Sequence, residues 1–297
     1  MQKKYLSAYY LLFILLSSIT IPSSATELNK GLLWSVQHPS TQTTHYLFGT
    51  MHSEKPDVVA LLPKIQVYIN KTSRLFLELS LDKHTMSALF QQMLLPNKKR
   101  LVDIIPPQRY QKIKQQLTQY YNIKSIERLR LWMLISLLNM PKEEQGNDFL
   151  DRLIYQYAVN KKIEAVGLET VEEQVAIIDG LSLAQQIILL EESLKNRKAI
   201  MASYQQMYAA YLAEDLQQLW VLNMAQMQDT AYPDLSNILM QRLLHTRNQR
   251  MVQRLKIYLK QEQASFIAVG ALHLVGESGL LQGLQQQGYH VRPIALQ

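Results

Sequence analysis

Apolar residues recur at two spacings along this chain, and the change from one to the other marks out its elements. Leu32-Leu33-Trp34-Ser35-Val36 and His45 to Gly49 read as two strands, with Pro39-Ser40-Thr41-Gln42 supplying the turn, so residues 31–50 predict a hairpin. Val59, Leu62, Ile65, Val67 and Ile69 follow at helical spacing behind Pro56-Asp57, which predicts one helix from Val58 to Asn70. Arg74 to Leu79 then reads as a buried strand with an acidic residue, Glu78, near its exit.

The middle changes period. Pro107 to Tyr121, Ile126 to Met140 and Asp148 to Val159 each carry a 3.6-residue apolar rhythm, punctuated by Pro106-Pro107 and Met140-Pro141. Ile163 to Glu169 interrupts the helices as a third apolar run, read as a buried strand. Thr170 and Glu173 are spaced as a capping box behind it. A long helical stretch rich in Gln, Leu, Tyr and Met runs from about Ala184 to Met227, and Pro233-Asp234 opens another through Leu259. Such a Met and Tyr stripe is more often core than a cofactor box.

The end returns to α/β character. Ser265 to Val269 is a strand, Gly276 to Gln287 a helix stopped at Gly288, and Tyr289 to Ile294 a last strand. The expected fold is therefore α/β. A central mixed sheet is built from the N- and C-terminal thirds, and a large helical insertion, residues 107–260 or so, forms a cap or lobe. Residues 26–297 make a single domain on this reading, with no solenoid repeat.

Composition narrows the setting. The chain has 297 residues, 47% of them hydrophobic, which is enough for a sizeable core. Lys3 and Lys4, the apolar stretch Leu6 to Ile21 and the small residues Ser23-Ser24-Ala25 read as a leader cleaved after residue 25. The formal charge of +7 falls to +5 without it. Lys and Arg are spread along helices, and no nucleic-acid motif is present, so the positive balance reads as a solvated surface and no nucleic-acid partner is expected. There is no cysteine, hence no disulfide, thiolate site or lipid-modified cysteine. These features predict a periplasmic or secreted protein without a stable membrane span once the leader is gone.

The candidate chemistry lies in a repeated tetrapeptide. Gly49-Thr50-Met51-His52 follows Tyr46-Leu47-Phe48, and Gly270-Ala271-Leu272-His273 follows Phe266-Ile267-Ala268-Val269. Each glycine frees the backbone to turn or to pass close to another group, and each histidine stands just past a strand end, where open α/β sheets hold ligands. Neighbouring strands would bring the two imidazoles together, and imidazole suits metal ligation and proton transfer. Two histidines are too few for a typical catalytic metal site, and Glu78 is the natural third candidate, since a strand–helix–strand unit returns it to the same sheet edge. Glu54 and Glu277, each just after a motif histidine, are alternatives that would equally cap helix starts. A single Gly-x-x-His arises by chance in many proteins, and a packed or surface histidine is its ordinary reading; the pair is more specific because both stand at the same point of a strand–turn unit.

These blocks resemble the TraB/GumN family. The resemblance is carried by Tyr46 to His52, Leu75 to Leu79, Gly167-Leu168-Glu169-Thr170 with Glu173-Gln174, Arg247-Asn248, and Val269 to Gly276 with Gly279-Leu280-Leu281 and Gly288-Tyr289. It spans nearly all of the chain after the leader, in the same order. The family is similar to the Tiki metalloproteases and, more distantly, to erythromycin-esterase-like and ChaN-like haem-binding proteins. The resemblance implies an exported metal-dependent hydrolase, most readily a peptidase with a peptide or protein substrate. His52, His273 and Glu78 would hold a divalent Mn, Co or Zn ion, and Gly49 and Gly270 would shape the loops. Glu78 and Arg247 would be catalytic, Arg247 facing a developing oxyanion, although Leu244-His245-Thr246 before it lacks an expected acidic residue. Glu169 would be structural. The alternatives are a periplasmic haem- or metal-binding protein without turnover, and an interaction protein that keeps the fold.

Overall fold

In the computed structural model, which describes residues 28–144, 148–228 and 230–296, six strands form one sheet. They are β1 (Leu33–Gln37), β2 (Thr44–Thr50), β3 (Arg74–Leu77), β4 (Glu164–Gly167), β5 (Ser265–Gly270) and β6 (His290–Ile294), in the order β4-β3-β5-β2-β1-β6. β1 pairs antiparallel with β2 and β6, whereas β2, β3, β4 and β5 run parallel. The sheet is thus mixed, as the sequence predicts. The leader read at residues 1–25 lies outside the described residues.

The central strands have the burial that a sheet covered on both faces demands. Leu75, Phe76, Phe266, Ile267, Ala268 and Val269 are all buried, so β3 and β5 read as continuous apolar runs rather than alternating ones. β4 departs from the expectation of a buried strand. Glu164 is exposed and Ala165 to Gly167 are only half-buried, because β4 pairs on one side only and forms the sheet edge. It is the strand that the helical middle contributes to a sheet otherwise made of the two ends of the chain. A second apolar core, including Leu101, Ile113, Leu134, Leu138 and Leu190, lies among the helices of the insertion.

Three predicted helices are shorter than their periodicity suggests. Val58 to Asn70 is two helices, Pro56–Val59 and Leu61–Ile69, because Pro63 has no N–H to give the Val59 carbonyl. The stretch from Ala184 to Met227 is three helices, Leu183–Lys195, Arg197–Leu212 and Leu216–Gln228. The second break sits at Glu214, in the left-handed region at φ 52°. The Glu214 carbonyl accepts from Gly31 N (2.9 Å), so contact with the segment leading into the first strand overrides local propensity. The last helix is only Leu280–Gln286, since Gly276 at φ +89° turns the chain first.

His45 is a core histidine. It is fully buried in β2, and its Nδ1 accepts the Ser265 N–H at 3.2 Å. Burial pushes its pKa down to about 4. The unfolded chain therefore binds a proton that the folded chain refuses between the ordinary value of 6.5 and about 4. Stability contributed by the neutral ring is complete above the unfolded value and is lost as pH falls through this window, by an amount on the order of 3 kcal/mol. Urea unfolding at pH 7 and pH 4.5 should show this loss in the native sequence and a smaller one in His45→Gln.

Candidate active site

Parallel pairing brings the two Gly-x-x-His segments together. β2 and β5 are neighbours with Thr50 opposite Gly270, and β3 lies on the other side of β5. The C-terminal ends of three parallel strands thus deliver His52, Glu78 and His273 to one sheet edge, the edge at which open parallel sheets bind ligands. All three line one cavity of about 410 Å³, together with Arg247 and Gly270.

Glu78 is held from three directions. Gly270 N–H donates to Oε1 at 2.7 Å, Arg247 Nη2 donates to Oε2 at 2.6 Å, and His273 Nε2 lies 3.5 Å from Oε1. A Cβ on residue 270 would stand 3.1 Å from Oε1, so this glycine serves a close approach rather than a left-handed turn. Gly49 does the same on β2, where an added Cβ would meet Leu274 at 2.8 Å and Ala271 at 3.1 Å. Burial raises the Glu78 pKa, but positive charge on His273 and Arg247 and the Gly270 hydrogen bond outweigh it and hold the carboxyl well below its ordinary range. His273 is buried, and that burial pushes its own pKa down, so at neutral pH the lasting positive charge beside Glu78 is Arg247.

His273 is fixed from behind. Its Nδ1 is 2.5 Å from Asn248 Oδ1, and both residues are buried. With Nδ1–H donating to the amide oxygen, Nε2 presents its lone pair toward Glu78 Oε1. A neutral nitrogen and an ionised oxygen facing each other at 3.5 Å make a seat for a proton or a cation.

Arg247 sits two residues beyond a single wide helical turn, Gln241–His245, between the helices Pro233–Met240 and Thr246–Tyr258. Its guanidinium joins two carboxylates. Nε and Nη2 donate to Glu169 at 2.9, 3.0 and 2.6 Å, while Nη2 also donates to Glu78 and Nη1 to the Leu243 carbonyl at 3.2 Å. The backbone places the two acids side by side, because pairing of β3 with β4 continues past both strands through Glu169 N–H to the Glu78 carbonyl at 2.8 Å. The Glu169 side chain is wholly buried in its ion pair with Arg247.

His52 is on the same cavity in a different setting. It is exposed, and its ring packs on Phe149 with centroids 3.7 Å apart. The helical insertion grips its loop. Thr50 Oγ1 donates to Asp151 Oδ1 at 2.6 Å, Leu150 N–H to the Ser53 carbonyl at 3.2 Å, and both Ser53 Oγ and Glu54 N–H to Glu144 Oε2 at 2.8 Å. Asp151 lines the cavity next to this one with His52 and Glu78, and its Oδ2 is buried without a hydrogen-bond partner. Burial raises its pKa, and the Glu78 charge adds to that, against the lowering influence of His52 and Thr50.

The sequence reading missed Thr50, Asn248, Glu144 and Asp151 as site residues. Asn248 adjoins Arg247 in a quoted block, which was a usable signal; Asp151 reads locally as an ordinary acidic residue in a first helical turn. Of the two alternatives to Glu78, Glu54 serves the loop through its backbone, and Glu277 lines a separate cavity with Trp220 and His245.

Glu78 and His273 supply the oxygen and nitrogen donors that a divalent first-row ion prefers, and Asn248 supplies the outer hydrogen bond typical of a ligating imidazole. They fit such an ion as a pair. Among the described residues no group of three His, Asp or Glu side chains is gathered closely enough to close around it. No single helix among them is long and apolar enough to cross a membrane.

Metalloprotease TIKI2 of Danio rerio is 28% identical over 91% of this chain, that of Xenopus tropicalis 27% over 91%, and Metalloprotease TIKI1 of Homo sapiens 25% over 90%. The matches cover 62%, 61% and 62% of those proteins, so the chain spans less than two thirds of the length of these relatives. The model of the TraB/PrgY/gumN family matches residues 32–293, from the first strand to the last, and the chain belongs to that family.

Proposed function

We propose that this protein is an exported metal-dependent hydrolase that cleaves peptide bonds, with its centre at Glu78, His273 and His52. The observation that carries the reading is the meeting of these three residues, from three separate strand ends, on one cavity. The names of the relatives support the reaction class. Glu78 and His273 would hold a divalent ion of the Mn, Co or Zn type, with His52 beside them on the same cavity. Bound there, such an ion lowers the pKa of water and polarises a carbonyl.

The chain's own residues then have distinct tasks. Asn248 keeps the His273 Nε2 lone pair turned to the cavity. Arg247 keeps Glu78 ionised and fixed, and its ties to two carboxylates make it a positioning group more than a free oxyanion donor. The grip of the insertion on Thr50 and Ser53 holds the His52 loop against the sheet edge.

Cleavage of a casein-type or random peptide mixture, abolished by a chelator and restored by one of these ions, is the expected result. Proteolysis that is indifferent to chelator, or absent with every divalent ion, would overturn the assignment. Asn248→Ala should weaken metal affinity or kcat/KM by about 10- to 100-fold, as loss of an outer-shell partner typically does. Asn248→Asp, which retains the acceptor oxygen, should lose less. Titration calorimetry with the metal alone reads the difference.

A further inference from the structure

The cavity that contains His273 does not end at the reacting groups. Thr50, His52, Glu78, Met140 and Gly270 also line a second cavity of about 460 Å³, so the two meet at these residues as at a waist. The walls beyond the waist are apolar on both sides. One side has Met86, Leu89, Met93 and Met133, and the other Met207, Met227, Met240 and Leu244. Methionine is unbranched and adaptable, and it suits surfaces that accept varied apolar groups. Carboxylates mark the waist and the second cavity, with Glu78 at the waist and Asp151 and Glu144 on the second cavity alone, whereas Arg247 lines the first.

We infer that the substrate is an extended peptide with apolar side chains on both sides of the scissile bond and no acidic side chain next to it. The inference rests on the hydrolase reading of the waist. The two-sided shape selects a peptide among apolar occupants. A fatty acyl chain has its carbonyl at one end, so with that carbonyl at Glu78 it would fill one cavity and leave the other empty. A peptide continues on both sides of every carbonyl and presents side chains to both walls. Glu78 at the waist, with Asp151 and Glu144 beside it on the second cavity, repels an acidic neighbour of the bond on that side and accepts a neutral one.

Binding to chelator-treated protein separates this inference from the peptidase assignment. The probe is a fluorescent decapeptide with Leu and Phe on both sides of its central bond, compared with versions in which one half, or both, is Ser and Gly. Anisotropy should show at least a tenfold loss of affinity when either half is made polar. Met86→Glu and Met227→Glu each place a charge on one wall, and neither residue is part of the buried cores. Each variant should bind the fully apolar peptide at least tenfold more weakly. Each should also become indifferent to the composition of one half, the opposite half in the two cases. Equal affinity for the apolar and the polar peptides would overturn the inference, as would binding of palmitate that one variant abolishes and the other leaves intact while neither affects the peptide. Cleavage lost from a protein that still binds the apolar peptide by this pattern would count against the peptidase reading alone. Cleavage without apolar preference would count against the inference alone.

Discussion

Replacing Arg247 with Met is expected to be among the most damaging single substitutions in this chain, at about 3–5 kcal/mol of stability, the usual cost of stripping one partner from a buried charge cluster. Glu169 would be left wholly buried without its three hydrogen bonds from Arg247, keeping the Gln174 amide at 3.1 Å and the more distant Arg250 guanidinium at 3.8 Å, and Glu78 would lose the cation that keeps it ionised. Urea unfolding reads the loss. The companion Arg247→Met/Glu169→Leu, which removes the stranded acid as well, should recover part of it, because the penalty lies mostly in the unpaired charge. A single variant as stable as the native protein would show that the guanidinium does not hold the two acids together.

Glu78→Gln should behave in the opposite manner. The amide keeps the shape, Arg247 retains Glu169, and the fold should survive with a small change in urea midpoint. Hydrolysis should fall by about 10²–10⁴-fold, the range expected when a charged group acting in the transition state is neutralised. The contrast assigns one carboxylate of the Arg247 cluster to chemistry and the other to architecture. Equal losses of activity and stability in Glu78→Gln and Glu169→Gln would erase that division.

The site was half legible in the sequence, for identifiable reasons. His52, Glu78 and His273 stand at strand exits, and strand exits in a parallel sheet share an edge; once β2, β3 and β5 are neighbours the three must meet. That follows from local pattern and topology. Glu144, Phe149 and Asp151 reach the His52 loop across the insertion, through contacts between residues about a hundred positions apart that have no period to betray them. Arg247 was identified, but its partners were not, because the pairing of Glu78 with Glu169 depends on the edge strand β4 extending past its last residue. The fold shows the same division. The apolar runs of β3 and β5 declared their burial, whereas the helix break at Glu214 goes with a contact to distant Gly31 and has neither glycine nor proline to announce it.

Metal analysis of the purified protein tests the central claim most directly. Native protein, Glu78→Gln and His273→Ala would be loaded with Mn, Co or Zn, desalted and measured by elemental mass spectrometry. The account predicts close to one divalent ion per native chain and most of it gone from both variants, each confirmed as folded by circular dichroism. The same small residue of metal in all three, with peptide cleavage undiminished in the native protein, would contradict it.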